Sequence, residues 1–220
     1  MMKPTKTIVF DLDDTLVPEI EYLESAFREI ARYVDSARTN LFAEMMEIYH
    51  RKENVFGKLI EQYPQLTLDE LKRRYRYHVP DFSAYGHIRN LLTRCKESGC
   101  LLGLITDGYA VTRRNKIHSL GIESLLDLIV ISEEFGSEKP SENNYSVFHR
   151  FGTEQYYYIG DNTNKDFVTP NKLGWTTICL LDQGRNIHRQ QFSLAPEYLP
   201  QLTIPAITDL AGILQLAPLF

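Results

Sequence analysis

Short apolar runs punctuate the chain, and the first ends in an acidic cluster. Thr-Ile-Val-Phe at 7–10 leads into Asp-Leu-Asp-Asp. Runs of the same kind occupy 101–105, 126–131, 155–159 and 176–180. Apolar stretches of this length, without strict alternation, predict strands buried on both faces. Helical patterns lie between them. Ile88, Leu91, Leu92 and Cys95 recur at helical spacing, and Gly99 follows as a stop signal. Val111, Ile117 and Leu120 do the same before Gly121. Two more helices are predicted over 141–151 and 164–173. Strands alternating with helices predict βαβ units, hence an α/β fold with a parallel sheet flanked by helices. In such sheets ligands bind beyond the carboxyl ends of the strands.

The interval 18–80 breaks the alternation. It is rich in Glu, Arg, Tyr and Phe, with helical periodicity and no strand pattern. Helices are predicted over 19–35, 39–51, 54–62 and 67–78. This division makes 18–80 an all-helical subdomain, a cap inserted after the first strand, and leaves 1–17 with 81–220 as the core. Tyr22, Phe27, Tyr33, Phe42, Tyr49 and Phe56 are expected to form the insert's own core rather than a stacking platform. The basic run Lys72-Arg73-Arg74-Tyr75-Arg76-Tyr77-His78 can attract an anion, but an exposed helix face is the expected reading. The same holds for Arg113, Arg114 and Lys116. The tail, 186–220, begins Gln- and Pro-rich. A last strand is expected near 202–204 and a helix near 207–216.

Composition narrows the field. A chain of 220 residues, 43% hydrophobic and 24% charged, has the make-up of a soluble globular protein with one sizeable domain or a core plus an insert. The net charge of −5 argues against nucleic acid or an anionic membrane as the main partner. The three cysteines, Cys95, Cys100 and Cys179, have no CxxC spacing, so neither a disulfide framework nor structural zinc is expected, and a reducing cytoplasm is the simplest setting. The runs 100–105 and 125–131 are far too short to cross a bilayer. The N-terminal Met-Met-Lys-Pro-Thr-Lys has no signal-peptide architecture. The six histidines show no metal-ligand spacing.

Four motifs carry candidate chemistry, and each follows a different expected strand. In Asp11-Leu12-Asp13-Asp14-Thr15, Asp11 and Asp13 are two apart and share a face of an extended chain. Carboxylates that close resist joint ionisation unless a divalent cation relieves them, and such a set with a phosphate suits Mg²⁺. One carboxylate can then attack phosphorus, and the other can serve as acid and base if its pKa is raised. In Ile105-Thr106-Asp107-Gly108, a hydroxyl and turn amides can hold phosphate oxygens. Lys139, ahead of Pro140, can neutralise them. In Gly160-Asp161-Asn162-Thr163-Asn164-Lys165-Asp166, Gly160 permits a tight turn and Asp161 is placed as a metal ligand. Asp166 would ligate through water or orient Lys139. Each motif alone is also an ordinary turn, cap or surface signal. Four of them at the ends of successive strands converge on one sheet edge, and that joint arrangement carries the argument.

In this order the motifs resemble the haloacid dehalogenase superfamily, in its phosphatase branch with a helical cap; the resemblance runs from about 7 to 180. It implies a Rossmann-like core, with Asp11 as nucleophile and Asp13 as general acid and base. Mg²⁺ would sit between Asp11, the backbone carbonyl of Asp13 and Asp161. Asp166 would support it, together with Gly160 and Asn162. Thr106, Asp107 and Lys139 would bind the transferring phosphoryl group of a small phosphorylated metabolite. The family's dehalogenases lack the second aspartate of the first motif, so Asp13 argues against dehalogenation. A phosphosugar mutase stays open. A phosphonatase would need a reactive cap lysine, and Lys52 and Lys58 read as solvated. A non-enzymatic phospho-acceptor module shares the residue types, but this chain is longer and carries an insert after its first strand. The identity of the substrate and the oligomeric state are not legible.

Overall fold

A computed structural model describes residues 4–216. The first three residues of the N-terminal stretch, and the last four of the range assigned to the core, lie outside them. In chain order the elements are β1 (Lys6–Phe10), α1 (Glu19–Val34), α2 (Leu41–His50), α3 (Val55–Gln62), α4 (Leu68–Tyr77) and α5 (Gly86–Glu97). They continue through β2 (Leu101–Thr106), α6 (Ala110–Leu120), β3 (Leu128–Ile131), α7 (Ser132–Phe135) and α8 (Asn143–Ser146). The last are β4 (Gln155–Gly160), α9 (Val168–Lys172), β5 (Thr176–Leu180), β6 (Leu202–Ile204) and α10 (Leu210–Ile213). No helix among the described residues is long and apolar enough to cross a membrane.

The strands form one six-stranded sheet in the order β3-β2-β1-β4-β5-β6, and every pairing is parallel. The chain builds outward from β1 to β3, then returns to add β4, β5 and β6 on the other side. β1 is therefore the strand beside which the winding reverses, and the carboxyl end beside it is where such sheets hold ligands. The fold is the Rossmann-like α/β architecture the motifs implied.

Both sheet faces are covered, which is why the strands read as unbroken apolar runs. On one face Ile8, Phe10, Leu102 and Leu104 pack against Ile88, Leu92, Ile117 and Leu120 of α5 and α6. On the other, Val9, Ile105 and Val130 meet Tyr145, Phe148, Tyr158 and Trp175. A Cβ on Gly103 would collide with the Phe148 ring, so this strand glycine lets an aromatic ring lie against the backbone.

The four helices between Glu19 and Tyr77 have a core of their own, built from Leu23, Phe27, Ile30, Leu41, Met45, Leu59 and Leu71. Phe42, Tyr49 and Phe56 pack against it. Two aromatics depart from expectation. Tyr22 joins the sheet-side core instead, with its hydroxyl donating to the Tyr75 carbonyl at 2.6 Å. Tyr33 lies on the surface, where the Arg74 guanidinium stacks on its ring.

The two C-terminal helices of the sheet are shorter than their patterns suggested. The stretch 141–151 is one helical turn, α8, followed by a tighter 3₁₀ segment over Val147–Phe151. The stretch 164–173 keeps only α9. Its first residues are held in a turn, because the Asp166 carboxylate folds back onto the amides of Asp161 and Asn162. At the far end, 207–216 splits into a 3₁₀ turn and α10.

Candidate active site

The side chains of Asp11, Asp13, Thr106, Lys139 and Asp161 come from four separate loops and line one small cavity of about 90 Å³. Its floor is the end of β1. The chain there turns back on itself: the Leu16 and Val17 amides both donate to the Leu12 carbonyl, and the Asp14 amide donates to Val17. Asp14 sits in the left-handed region at φ 55°, where a short polar side chain is tolerated. Its carboxylate accepts the amides of Glu19 at 2.8 Å and Ile187 at 3.0 Å, tying the start of α1 and the C-terminal tail to this turn.

Asp11 and its neighbours form the acid-rich side. Oxygen atoms of Asp11, Asp161 and Asp166 all lie within 4.8 Å of one another, and all three residues are buried. Lys139 is the cation among them, 2.8 Å from both Asp11 and Asp166. Asp166 is fully engaged. One oxygen takes Lys139, and the other accepts the amides of Asp161 at 3.2 Å and Asn162 at 2.9 Å. A Cβ on Gly160 would stand 2.5 Å from that carboxylate, so glycine is what lets the brace close. Asp161 is held by Thr15 at 3.3 Å and by Asn186 at 3.0 Å.

One lysine does not balance three buried acids. Burial, with Asp166 nearby and Lys139 in opposition, pushes the Asp11 carboxyl up to about 7. Burial and the neighbouring Asp166, Asp11 and Asp14 push Asp161 up to about 9. Lys139 moves the other way: burial alone would lower it, but Asp11 and Asp166 hold it well above the ordinary lysine value. A hard divalent cation among these oxygens would relieve the repulsion, and an all-carboxylate donor set fits such a cation.

Asp13 stands in the opposite environment. Its carboxylate is paired with Arg113 and with Lys116, both from α6. Burial would raise its pKa, but the two cations hold it below the usual carboxylate range. Its side chain is absent from the carboxylate cluster, and within the first motif burial raises Asp11 and Asp14 rather than the expected acid, Asp13. The reading of Arg113 and Lys116 as an exposed face is overturned: Lys116 is 1% exposed. Lys116 falls four residues after Thr112, four before Leu120 and beside Ile117, on the buried face of α6. Only Arg114 points outward, to Glu123 and Glu134.

Asp107 is also placed differently from expectation. Its carboxylate accepts the Lys139 amide at 3.0 Å and pairs with Lys165 at 2.7 Å. A carboxylate so engaged holds the Lys139 backbone and the Lys165 ammonium in place. The tail adds residues that no motif announced. Asn186 reaches Asp161, and Gln190 donates to the Asp161 carbonyl at 2.9 Å.

A second cavity, of about 310 Å³, lies between the helical insert and the core. Glu19 and Arg113 line both cavities and so mark the passage between them. Lys72 and Arg76 border the larger one, so the basic run of α4 is not simply a solvated face. At its end, buried His78 is held between Ser25 and Glu29. Lys52 and Lys58 are exposed, and Lys58 pairs with Glu61 on the outside.

Residues 8–180 match the model of the family described as haloacid dehalogenase-like hydrolase. The chain belongs to the haloacid dehalogenase-like hydrolases. This hydrolase is 32% identical over 197 residues to a glyceraldehyde 3-phosphate phosphatase of Methanocaldococcus jannaschii, an alignment covering 80% of this chain and 85% of that one. It is 30% identical over 193 residues to a protein of the same name from Methanopyrus kandleri, covering 79% and 82%. Among solved structures, the HAD-hydrolase YfnB from Bacillus subtilis, bound to magnesium, aligns with TM-score 0.63 over 97% of this chain and 100% of that one. Identity there is 18%, so that likeness speaks for the fold alone.

Proposed function

We propose that this hydrolase cleaves small phosphomonoesters, passing the phosphoryl group to Asp11 and then to water. One observation carries the reading. The Asp11 carboxylate stands at the floor of a cavity of about 90 Å³, with Lys139 at 2.8 Å and two further acids beside it. That space suits a phosphoryl group and little more. The relatives' printed activity, on a phosphorylated triose, agrees with it.

In this mechanism an oxygen of Asp11 attacks phosphorus as the bond to the leaving alcohol breaks. Lys139 favours the anion of Asp11 and offsets charge on the phosphoryl oxygens, with the Thr106 hydroxyl beside them. Asp11 and Asp161, with Asp166 behind, would hold Mg²⁺, which supplies further positive charge at those oxygens. Asp13 gives a proton to the departing oxygen and takes one back from the water that opens the aspartyl-phosphate. At rest Arg113 and Lys116 favour its ionised form. An incoming phosphate draws on Arg113, which lines the same cavity, and so eases protonation of Asp13. Three buried, unpaired cysteines suit a reducing cytoplasm.

The test is transfer of label. With Mg²⁺ and a ³²P-labelled ester, the protein should release phosphate and acquire a hydroxylamine-sensitive label, which Asp11→Ala abolishes. Phosphate release at full rate from Asp11→Ala protein would overturn the mechanism.

A further inference from the structure

The two cavities have opposite charge. The inner one has six carboxylates in its wall against the three cations Arg113, Lys139 and Lys165, a net excess of acid. The outer one presents Lys72 and Arg76 from α4 and Arg113 and Lys116 from α6, with Glu19 as its one acid. Asp13 neutralises part of this from behind, through Arg113 and Lys116. Four cations against two carboxylates leave an excess of two positive charges. Among the described residues no carboxylate pairs with Lys72 or Arg76.

Arg76 is the informative residue. It is half-buried, and its guanidinium carbon lies 3.7 Å over the Tyr109 ring, with a nitrogen donating to the Tyr109 hydroxyl at 2.6 Å. The ring comes from the loop that carries Thr106 and Asp107, so the cation is held over the core side of the cavity. A guanidinium fixed against an aromatic face keeps donors in one plane, the arrangement that receives a carboxylate or phosphate in a fork. Half-burying such a charge without a counter-ion costs free energy that an anionic ligand would recover.

The phosphoryl group undergoing transfer fills the inner cavity, so it cannot be the anion that completes the outer one. From this we infer that the hydrolase takes phosphomonoesters whose leaving alcohol carries a second anionic group, a carboxylate or another phosphate, received by Arg76 in the outer cavity. The inference rests on the phosphatase reading above and names the substrate class of that site. It also departs from the relatives' printed substrate, whose carbon chain ends in an uncharged aldehyde.

Matched esters test it. Rates are compared for 3-phosphoglycerate against glyceraldehyde 3-phosphate, and for 2-phosphoglycolate against 2-hydroxyethyl phosphate, with p-nitrophenyl phosphate as control. The acid of each pair should have a kcat/KM about tenfold or more above its uncharged partner. Arg76→Gln should bring both ratios toward one, chiefly through KM, and Arg76→Lys should restore part of the preference. Ratios at or below one in the native chain overturn the inference, as do ratios that Arg76→Gln leaves unchanged. Turnover of the aryl ester with no turnover of either pair also overturns it. If the aryl ester is not hydrolysed either, the phosphatase reading itself falls.

Discussion

Asp11 and Asp13 are two residues apart in one loop, yet their surroundings have opposite character. Asp11 shares a single lysine with two other buried acids, and its carboxyl is pushed up to about 7. Asp13 has two cations to itself and is held below the usual range. The same side chain is thus prepared for two tasks by what the fold brings to it. An acid crowded by acids needs an external cation before it is fully ionised. An acid clamped by cations is already ionised, and gives or takes a proton only when something competes for its partners.

Replacing each aspartate should expose the difference most strongly. Asp11→Asn is expected to lower kcat by on the order of 10⁴-fold for any ester, because no other group stands where it does. Asp13→Asn should cost about 10²–10⁴-fold with an alkyl phosphate, where the leaving oxygen needs a proton, and markedly less with p-nitrophenyl phosphate, where it does not. Steady-state rates on both ester types check this. Equal losses for both variants on both esters would erase the distinction.

Metal removal addresses the acid-rich side alone. A chelator should reduce turnover by roughly a hundredfold or more, and added Mg²⁺ should restore it. Asp161→Asn should raise the Mg²⁺ concentration needed for half-maximal activity, because it removes a buried carboxylate from the cluster. Asp13→Asn should leave that concentration nearly unchanged, since its side chain lies outside the cluster. Titrations of activity with Mg²⁺ give the answer; a rise in both variants would place the Asp13 carboxylate, and not only its backbone carbonyl, in the metal site.

Lys116→Met addresses the cation-rich side. It keeps the apolar stem on the buried face of α6 and deletes the charge. Turnover of alkyl phosphates should fall about 10- to 100-fold and that of the aryl ester less, because Asp13 loses one of the two partners that aim it. A uniform loss across both esters, with a lowered Tm, would mean that Lys116 serves only the fold.

The same contrast shows what could be read from the chain. Asp11, Thr106 and Asp161 each sit at the end of an apolar run, Lys139 follows one after a short helix, and a parallel sheet brings the ends of such runs to one edge, so their meeting was legible. The clamp on Asp13 was not. Arg113-Arg114-Asn115-Lys116 reads as a polar run, and a run does not say which of its members turns inward. The apolar stripe of α6 does carry that signal: Lys116 stands on the same face as Thr112 and Leu120, a place a lysine takes only when a counter-ion is waiting. Asn186 and Gln190 left no trace, because neutral amides in a long loop have no periodicity. The shortened helix after β4 was hidden for a related reason. Asp166 spends its carboxylate on backbone amides, which pattern counts as a helix start and geometry makes a brace.

The smallest effect follows from proton counting, and it sets the two sides against each other in one measurement. Asp11 and Asp161 have an ordinary value of 3.8 and folded values of about 7 and about 9. Between roughly pH 4 and those values the folded chain binds more protons than the unfolded one, so both groups lower stability progressively as pH rises. Asp13 has the opposite sign. Its folded value is depressed, so its contribution is present above about pH 4 and is lost only as pH falls through the folded value. From pH 5 to 9 Asp13 is therefore flat, and the downward slope comes from Asp11 and Asp161, with Asp14 and Glu19, also raised by burial, acting in the same direction. In chelator, Tm should drop by a few degrees across that range. Saturating Mg²⁺ should flatten the slope, because a cation between the carboxylates removes their reason to hold protons. Asp161→Asn should flatten its upper part, from about pH 7 to 9, without metal. Calorimetric scans at pH 5, 7 and 9, with chelator and with Mg²⁺, decide it. A Tm that rises with pH in chelator, or a slope that Mg²⁺ leaves untouched, would mean that the three acids are not electrostatically crowded.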